Sequence, residues 1–263
     1  MSLRIPLVHN APLDAPEARS RWLRHAAPSA SYELAGRLLP WCWGVALLFA
    51  IAGLVVGLGL APTDFQQGDA YRIIFIHVPA AWMSMLIYVA MAFWAGVGVV
   101  LNTRASAMLA SALAPSGALM TFLALWTGAL WGKPTWGTWW VWDARLTSEL
   151  LLLFLYFGFM ALQAANDDPR RGDRAAAVLA LVGVVNVPII YFSVKWWNTL
   201  HQGSTINLTR APSMASVMLV GMLLMTAAFW AWSIAVALHR LRSIILEREA
   251  ETEWVQRLPE VQR

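Results

Sequence analysis

Apolar residues fall along this chain in long continuous blocks rather than in alternating or helical-face stripes. Uncharged stretches cover 38–63, 78–103, 105–132, 150–166, 175–194 and 211–238. Each is close to or above the roughly 20 residues that a helix needs to cross a bilayer. The pattern predicts an all-α, polytopic membrane protein with six transmembrane helices. A β-barrel would instead show short alternating strands with one polar face, which continuous Leu/Val/Ala/Trp blocks cannot supply.

Composition agrees with the pattern: of 263 residues, 59% are hydrophobic and 13% charged, which excludes an ordinary soluble globule. The single cysteine, Cys42, lies inside the first block, so a disulfide scaffold is excluded as well. With six spans both termini share a side. Assigning the termini and alternate loops to one side gives it 14 Lys and Arg against five for the other. The positive-inside rule then makes both termini cytoplasmic and turns the loops near 64–77, 131–147 and 195–210 outward. The pI of 9.6 is thereby a topology signal, and no basic run carries the interleaved aromatics of a nucleic-acid site.

The predicted organisation is a cytoplasmic N-terminal segment 1–37, read as the lead-in to an uncleaved signal anchor, then a six-helix membrane domain 38–240, then a cytoplasmic tail 241–263. Residues 239–258 read as a helical extension stopped by Pro259. Pro40 and Pro79 are placed near helix starts, where a missing N–H costs nothing. Pro188 is expected to kink the fifth span, with Asn186 or neighbouring helices satisfying the freed carbonyl. Gly53 and Gly57 form a GxxxG pair suited to a close helix contact.

Absent motifs narrow the chemistry. The nearest approach to a phosphate-binding loop, Gly128 to Lys133, has one residue too few between its glycines and is followed by Pro134. No C-x-x-C-H is present for covalent haem attachment. Glu149 is the one acidic residue near a span and sits toward the outer edge of the fourth, which disfavours an ion-motive carrier.

The informative stretch is WTGALWGKPTWGTWWVWDARLTSEL, in which Trp126, Trp131, Trp136, Trp139, Trp140 and Trp142 are followed by Asp143 and Arg145. An interfacial aromatic belt needs one or two tryptophans per helix end. Six in one outward loop read better as an aromatic shelf. His77 (FIHVPAAW) and His201 (WWNTLHQGS) sit on the two other outward loops, whereas His9, His25 and His239 are cytoplasmic. Two imidazoles flanking a tryptophan shelf, without a Cys or carboxylate cluster, do not resemble a zinc site. They suit haem, whose apolar ring stacks on aromatics, whose iron accepts axial imidazoles and whose carboxylates need cations. Arg72, Lys133, Arg145, Lys195 and Arg210 are candidate cations for those carboxylates. Asp143 could cap the fourth helix, accept a tryptophan N–H, or face the ligand.

WGTWWVWD followed by RLTSEL resembles the tryptophan-rich WWD signature of the haem-handling membrane proteins of cytochrome c maturation. With IHVPAAWMS, WWNTLHQGSTI and six spans, residues of about 40–240 resemble the CcmC (haem exporter protein C) family. That resemblance implies a bacterial inner-membrane protein that binds b-type, non-covalent haem as cargo at its periplasmic face. It would present the haem to the haem chaperone CcmE and work beside CcmA, CcmB and CcmD in an ABC-type complex, whose ATPase lies in a partner. It also implies His77 and His201 as axial iron ligands, Trp131, Trp136, Trp139, Trp140, Trp142 and Asp143 as the platform, and Arg145 at its border. In this reading the chain is not an enzyme, although assistance of covalent attachment to the chaperone stays open. The alternatives are a transmembrane haem-translocating carrier and a WWD haem lyase or synthetase, the latter being much larger.

Overall fold

The computed structural model describes residues 27–201, 203 and 212–259. Helix α1 (Pro28–Leu54) continues as a π-helical turn, Val55–Leu60. A loop and a 3-10 turn, Asp69–Ile73, lead into α2 (Ile74–Val100), followed by α3 (Arg104–Trp136), α4 (Ala144–Ala164), α5 (Pro169–Gly183), α6 (Asn186–Trp196), α7 (Ser216–Arg248) and a short α8 (Glu253–Gln256). Taking α5 with α6 as one, six helices are long and apolar enough to cross a membrane. The chain is thus an all-α polytopic membrane protein.

The pairing follows from side-chain size. Lipid tails are as apolar as leucine, so helices in a bilayer associate through close packing of small residues. The α3 face carries Ala110, Ala112, Ala114, Ser116, Gly117 and Ala118, all buried. As a result 67% of the most apolar stretch of α3 is buried, against 17% for α1. α3 is the central post, packed on α2, α4 and α7, while α1 lies outside against α7. Tyr88, Tyr156, Phe75 and Phe159 are the largest fully buried aromatic side chains. Gly57 sits where α1 meets α7 and α2: a Cβ there would lie 2.8 Å from the Phe75 ring, and one on Gly221 would lie 3.2 Å from the Gly57 backbone. The expected close contact at Gly53 and Gly57 is therefore present, with α7 and Phe75 as partners.

Several boundaries differ from the sequence expectation. α1 and α2 begin upstream of their apolar blocks, so Pro40 and Pro79 lie inside the helices. The helical extension expected over 239–258 is present to Arg248 as the end of α7 and again over Glu253–Gln256, with a break at 249–252 between them. Near Pro188 the fifth span breaks instead of kinking: α5 ends at Gly183 and α6 starts at Asn186. Pro188 then falls in the first turn of α6, where N–H groups lack intrahelical partners anyway. Asn186 does not cap the break; its Nδ2 donates to Ser148 O of α4 at 2.9 Å.

Candidate functional site

At the C-terminal end of α3 the helix runs on through Trp131 to Trp136, so only 137–143 of the predicted 131–147 loop is non-helical. Gly137 ends the helix with φ +79°, a left-handed conformation that glycine adopts without strain. Asp143 starts the next helix, its Oδ1 accepting from Leu146 N at 2.8 Å. Of the three roles open to Asp143, capping is the one seen. Its Oδ2 is buried and, among the described residues, has no hydrogen-bond partner; the same holds for Trp140 Nε1.

His77 lies one turn into α2 and is buried. Its Nδ1 is 3.0 Å from Thr127 Oγ1 on α3. The Thr127 hydroxyl donates its proton to Leu123 O one turn back. It therefore faces His77 as an acceptor, which places the imidazole proton on Nδ1 and leaves the Nε2 lone pair available. The His201 ring stands 6.3 Å from the His77 ring, centroid to centroid, at 34°. Trp131 meets His77 edge-on at 5.7 Å, and Trp136 lies 6.1 Å from His201. Trp131 is held in turn by its Nε1–H, donated to Gln67 Oε1 at 2.7 Å. A Cβ on Gly128 would come within 3.1 Å of His77 Cε1, so the small residue admits the ring.

Trp140 and Trp142 meet edge-on at 5.3 Å, with Trp142 77% exposed and Trp139 54% exposed. Trp126 packs with Phe122 on an exposed flank. Three of these ring contacts are tilted or edge-on: Trp131 with His77 at 76°, Trp136 with His201 at 55° and Trp140 with Trp142 at 79°.

Among the candidate cations, Arg72 donates to Gly57 O at 2.8 Å and Ala61 O at 3.1 Å, closing carbonyls freed by the π turn, and also meets Asp69 at 2.9 Å. Lys133 donates to Gly137 O at 3.0 Å and Arg145 to Ile190 O at 2.8 Å. Lys195 Nζ lies 5.7 Å from the Phe192 ring centre. Arg210 is outside the described residues. Glu149 turns its side chain into the bundle, where Ser84 Oγ donates to Oε1 at 2.7 Å.

Thr127 and Gln67 were not singled out from sequence. Thr127 stands one helical turn before Trp131, the spacing that puts both on one face. Gln67 sits in a polar loop with no motif to mark it.

The CcmC family model, "Heme exporter protein C", matches residues 21–256. The chain is 48% identical over 237 residues to heme exporter protein C of Escherichia coli (strain K12), covering 89% of this chain and 94% of that one. Identity is 46% over 239 residues with that of Haemophilus influenzae, covering 90% and 97%, and 45% over 227 residues with that of Bradyrhizobium diazoefficiens, covering 86% of each. A match over nearly all of the membrane-embedded chain, at this identity and with both lengths covered, means that the chain belongs to the heme exporter protein C (CcmC) family.

Proposed function

We propose that this chain binds haem at the tryptophan end of the bundle, on the periplasmic side of the bacterial inner membrane, and presents it to the haem chaperone CcmE for cytochrome c maturation. The observation that carries the reading is the paired imidazoles. Metal–imidazole bonds of about 2.0–2.1 Å put two ring centres about 6 Å apart when one ion takes both. The 6.3 Å between His77 and His201 matches that spacing. Thr127 supplies the outer partner that fixes a ligating histidine's tautomer and orientation. Family membership supports haem as the cargo, since the relatives are named heme exporter proteins.

His77 and His201 hold the iron as neutral imidazoles. Trp131 and Trp136 wall the ring, with Trp139, Trp140 and Trp142 forming the outer rim, Asp143 fixing the start of α4 and Arg145 bordering the site. Trp140 Nε1 is a buried donor without an acceptor, and a haem carboxylate is a group that could fill that position. The excess of Lys and Arg on the termini and their side orients the chain with both termini cytoplasmic. The chain holds and hands over its cargo without chemistry of its own, as a subunit beside CcmA, CcmB and CcmD. ATP hydrolysis falls to a partner.

The test is a visible spectrum of the detergent-purified chain, oxidised and reduced, for the wild type, His77→Ala and His201→Ala. A bis-histidine pattern in the wild type, altered in both variants, is the expected result. Haem retained unchanged in both variants would sink the axial-ligand assignment. A second measurement, haem transfer to purified chaperone, then tests presentation separately from binding.

A further inference from the structure

At the opposite end of α3 a cleft of about 170 Å³ opens between α2, α3, α4 and α5. At 1.5 Å per residue, Arg104 there is about 40 Å along α3 from Trp131. The cleft is consequently independent of the tryptophan end and of any haem reading.

Its walls divide by chemistry. Ala95, Val99, Ala107 and Phe159 make an apolar floor, Arg104 and the exposed Arg170 and Arg174 add positive charge, and Asp173 lines the cleft as well. On α2 the apolar side continues outward, with Val99 46% and Val100 80% exposed. Three carboxylates beside the cleft are committed. Asp173 is bridged by Arg248 at 2.7 and 3.1 Å and accepts from Gln163 at 2.8 Å. Glu249 is met by Arg104 at 2.7 Å, and Asp168 caps α5 and faces Arg171 at 3.7 Å. Asp167, on the loop before α5, and Glu247 and Glu251, either side of Glu249, are further carboxylates at this end; all three are exposed. Among the described residues, neither Arg170 nor Arg174 makes an ion pair.

Two arginines one turn apart on α5 repel each other, an arrangement that destabilises the isolated helix unless an anion lies between or before them. The N-terminus of α3, a long helix with no side-chain cap, adds unclaimed N–H groups and the positive end of its dipole. The volume is below the roughly 300 Å³ of sites that enclose a whole small-molecule ligand. It suits a headgroup-sized anion.

We propose that this cleft is a phosphate-binding site, with Arg170 and Arg174 engaging the phosphate and the apolar floor taking the start of an acyl chain when the phosphate belongs to an anionic phospholipid. Basic pockets between membrane helices are suited to such headgroups. The same chemistry would take free phosphate.

The experiment uses the full chain, delipidated in a neutral detergent, with thermal unfolding followed as ligand is added. Three probes are compared: dioleoylphosphatidylglycerol, dioleoylphosphatidylcholine and inorganic phosphate. In the wild type, dioleoylphosphatidylglycerol should raise Tm by several degrees, because a ligand that binds the folded state stabilises it by mass action. In the double variant Arg170→Gln/Arg174→Gln the concentration giving half the shift should rise at least tenfold, and Arg170→Lys/Arg174→Lys should retain much of the response. A shift with phosphatidylglycerol alone assigns the lipid as the source; an equal shift with inorganic phosphate assigns the free anion. Equal shifts with phosphatidylcholine and phosphatidylglycerol, no shift with any probe, or an undiminished shift in the glutamine variant would overturn the site. If the glutamine variant does not fold, the same comparison is read from Arg174→Gln alone.

Discussion

Trp136 and Arg104 close opposite ends of one helix, and the two ends treat positive charge differently. At the arginine end guanidinium groups meet carboxylates: Arg248 with Asp173, Arg104 with Glu249, Arg171 with Asp168. At the tryptophan end most cations rest on dipoles and rings: Arg145 on Ile190 O, Lys133 on Gly137 O, Lys195 beside Phe192. Arg72, which also meets Asp69, is the exception. Carbonyls hold a cation in place without cancelling its charge. These three cations of the tryptophan end are therefore fixed without a paired carboxylate among the described residues, which suits an anionic cargo, whereas at the arginine end Arg248 and Arg104 are spent on carboxylates of other elements.

Removing Asp173 should give the largest effect. It leaves Arg248 without its carboxylate and Gln163 with Ser111 Oγ alone, in a setting mostly screened from water. Asp173→Ala is expected to cost about 3 kcal/mol, read as a fall in unfolding midpoint in detergent. The haem spectrum of the folded fraction should not change. If the spectrum changed as well, the two ends would be coupled and the contrast drawn here would fail.

Next comes Thr127→Val, which keeps the shape but removes the acceptor for His77 Nδ1–H. Haem affinity should drop by about 10–100-fold, measured by absorbance titration at a temperature where the variant is fully folded, since the buried donor left without its acceptor also costs about 1–3 kcal/mol of stability. An unchanged affinity would show that His77 is oriented by packing alone.

Asp143→Ala deletes the α4 cap at a cost of about 1 kcal/mol. If the buried Oδ2 serves only local folding, haem titration should follow the stability loss and no more. A larger loss of affinity, with Asp143→Asn also defective, would place that oxygen at the ligand.

The smallest effect is expected from Trp131→Phe, which retains an aromatic wall beside His77 but gives up the hydrogen bond to Gln67. A loss of about 0.5–1.5 kcal/mol in stability should appear in the melt. Gln67→Leu should give a similar loss, and a double-mutant cycle should show the two to be non-additive.

The number of spans was legible because bilayer thickness imposes a length on apolar blocks, and nothing else in a sequence imitates that signal. The helix ends were not. A helix continues past the last apolar residue as long as its backbone bonds are made, which is why α3 absorbs Trp131–Trp136. Pro188 was read as a kink because periodicity does not say whether a helix continues or restarts. In the candidate site the histidines and tryptophans stood out by rarity and clustering. Thr127 did not: its hydrogen bond spans 50 positions of sequence, and a threonine in an apolar helix more often back-bonds the carbonyl one turn earlier, as this one also does with Leu123. Gln67 escaped for the same reason, its partner Trp131 lying 64 positions away.

The turn at 101–103 joins α2 directly to α3 and makes residues 69–136 a single antiparallel hairpin. His77, Thr127, Trp131 and Trp136 all ride on that one unit, while His201 comes from a segment made much later. In a chain synthesised from its N-terminus, Trp131 and Thr127 can stand against the first imidazole before the second one exists. The final step of building the site is thus the arrival of one loop at a wall already in place.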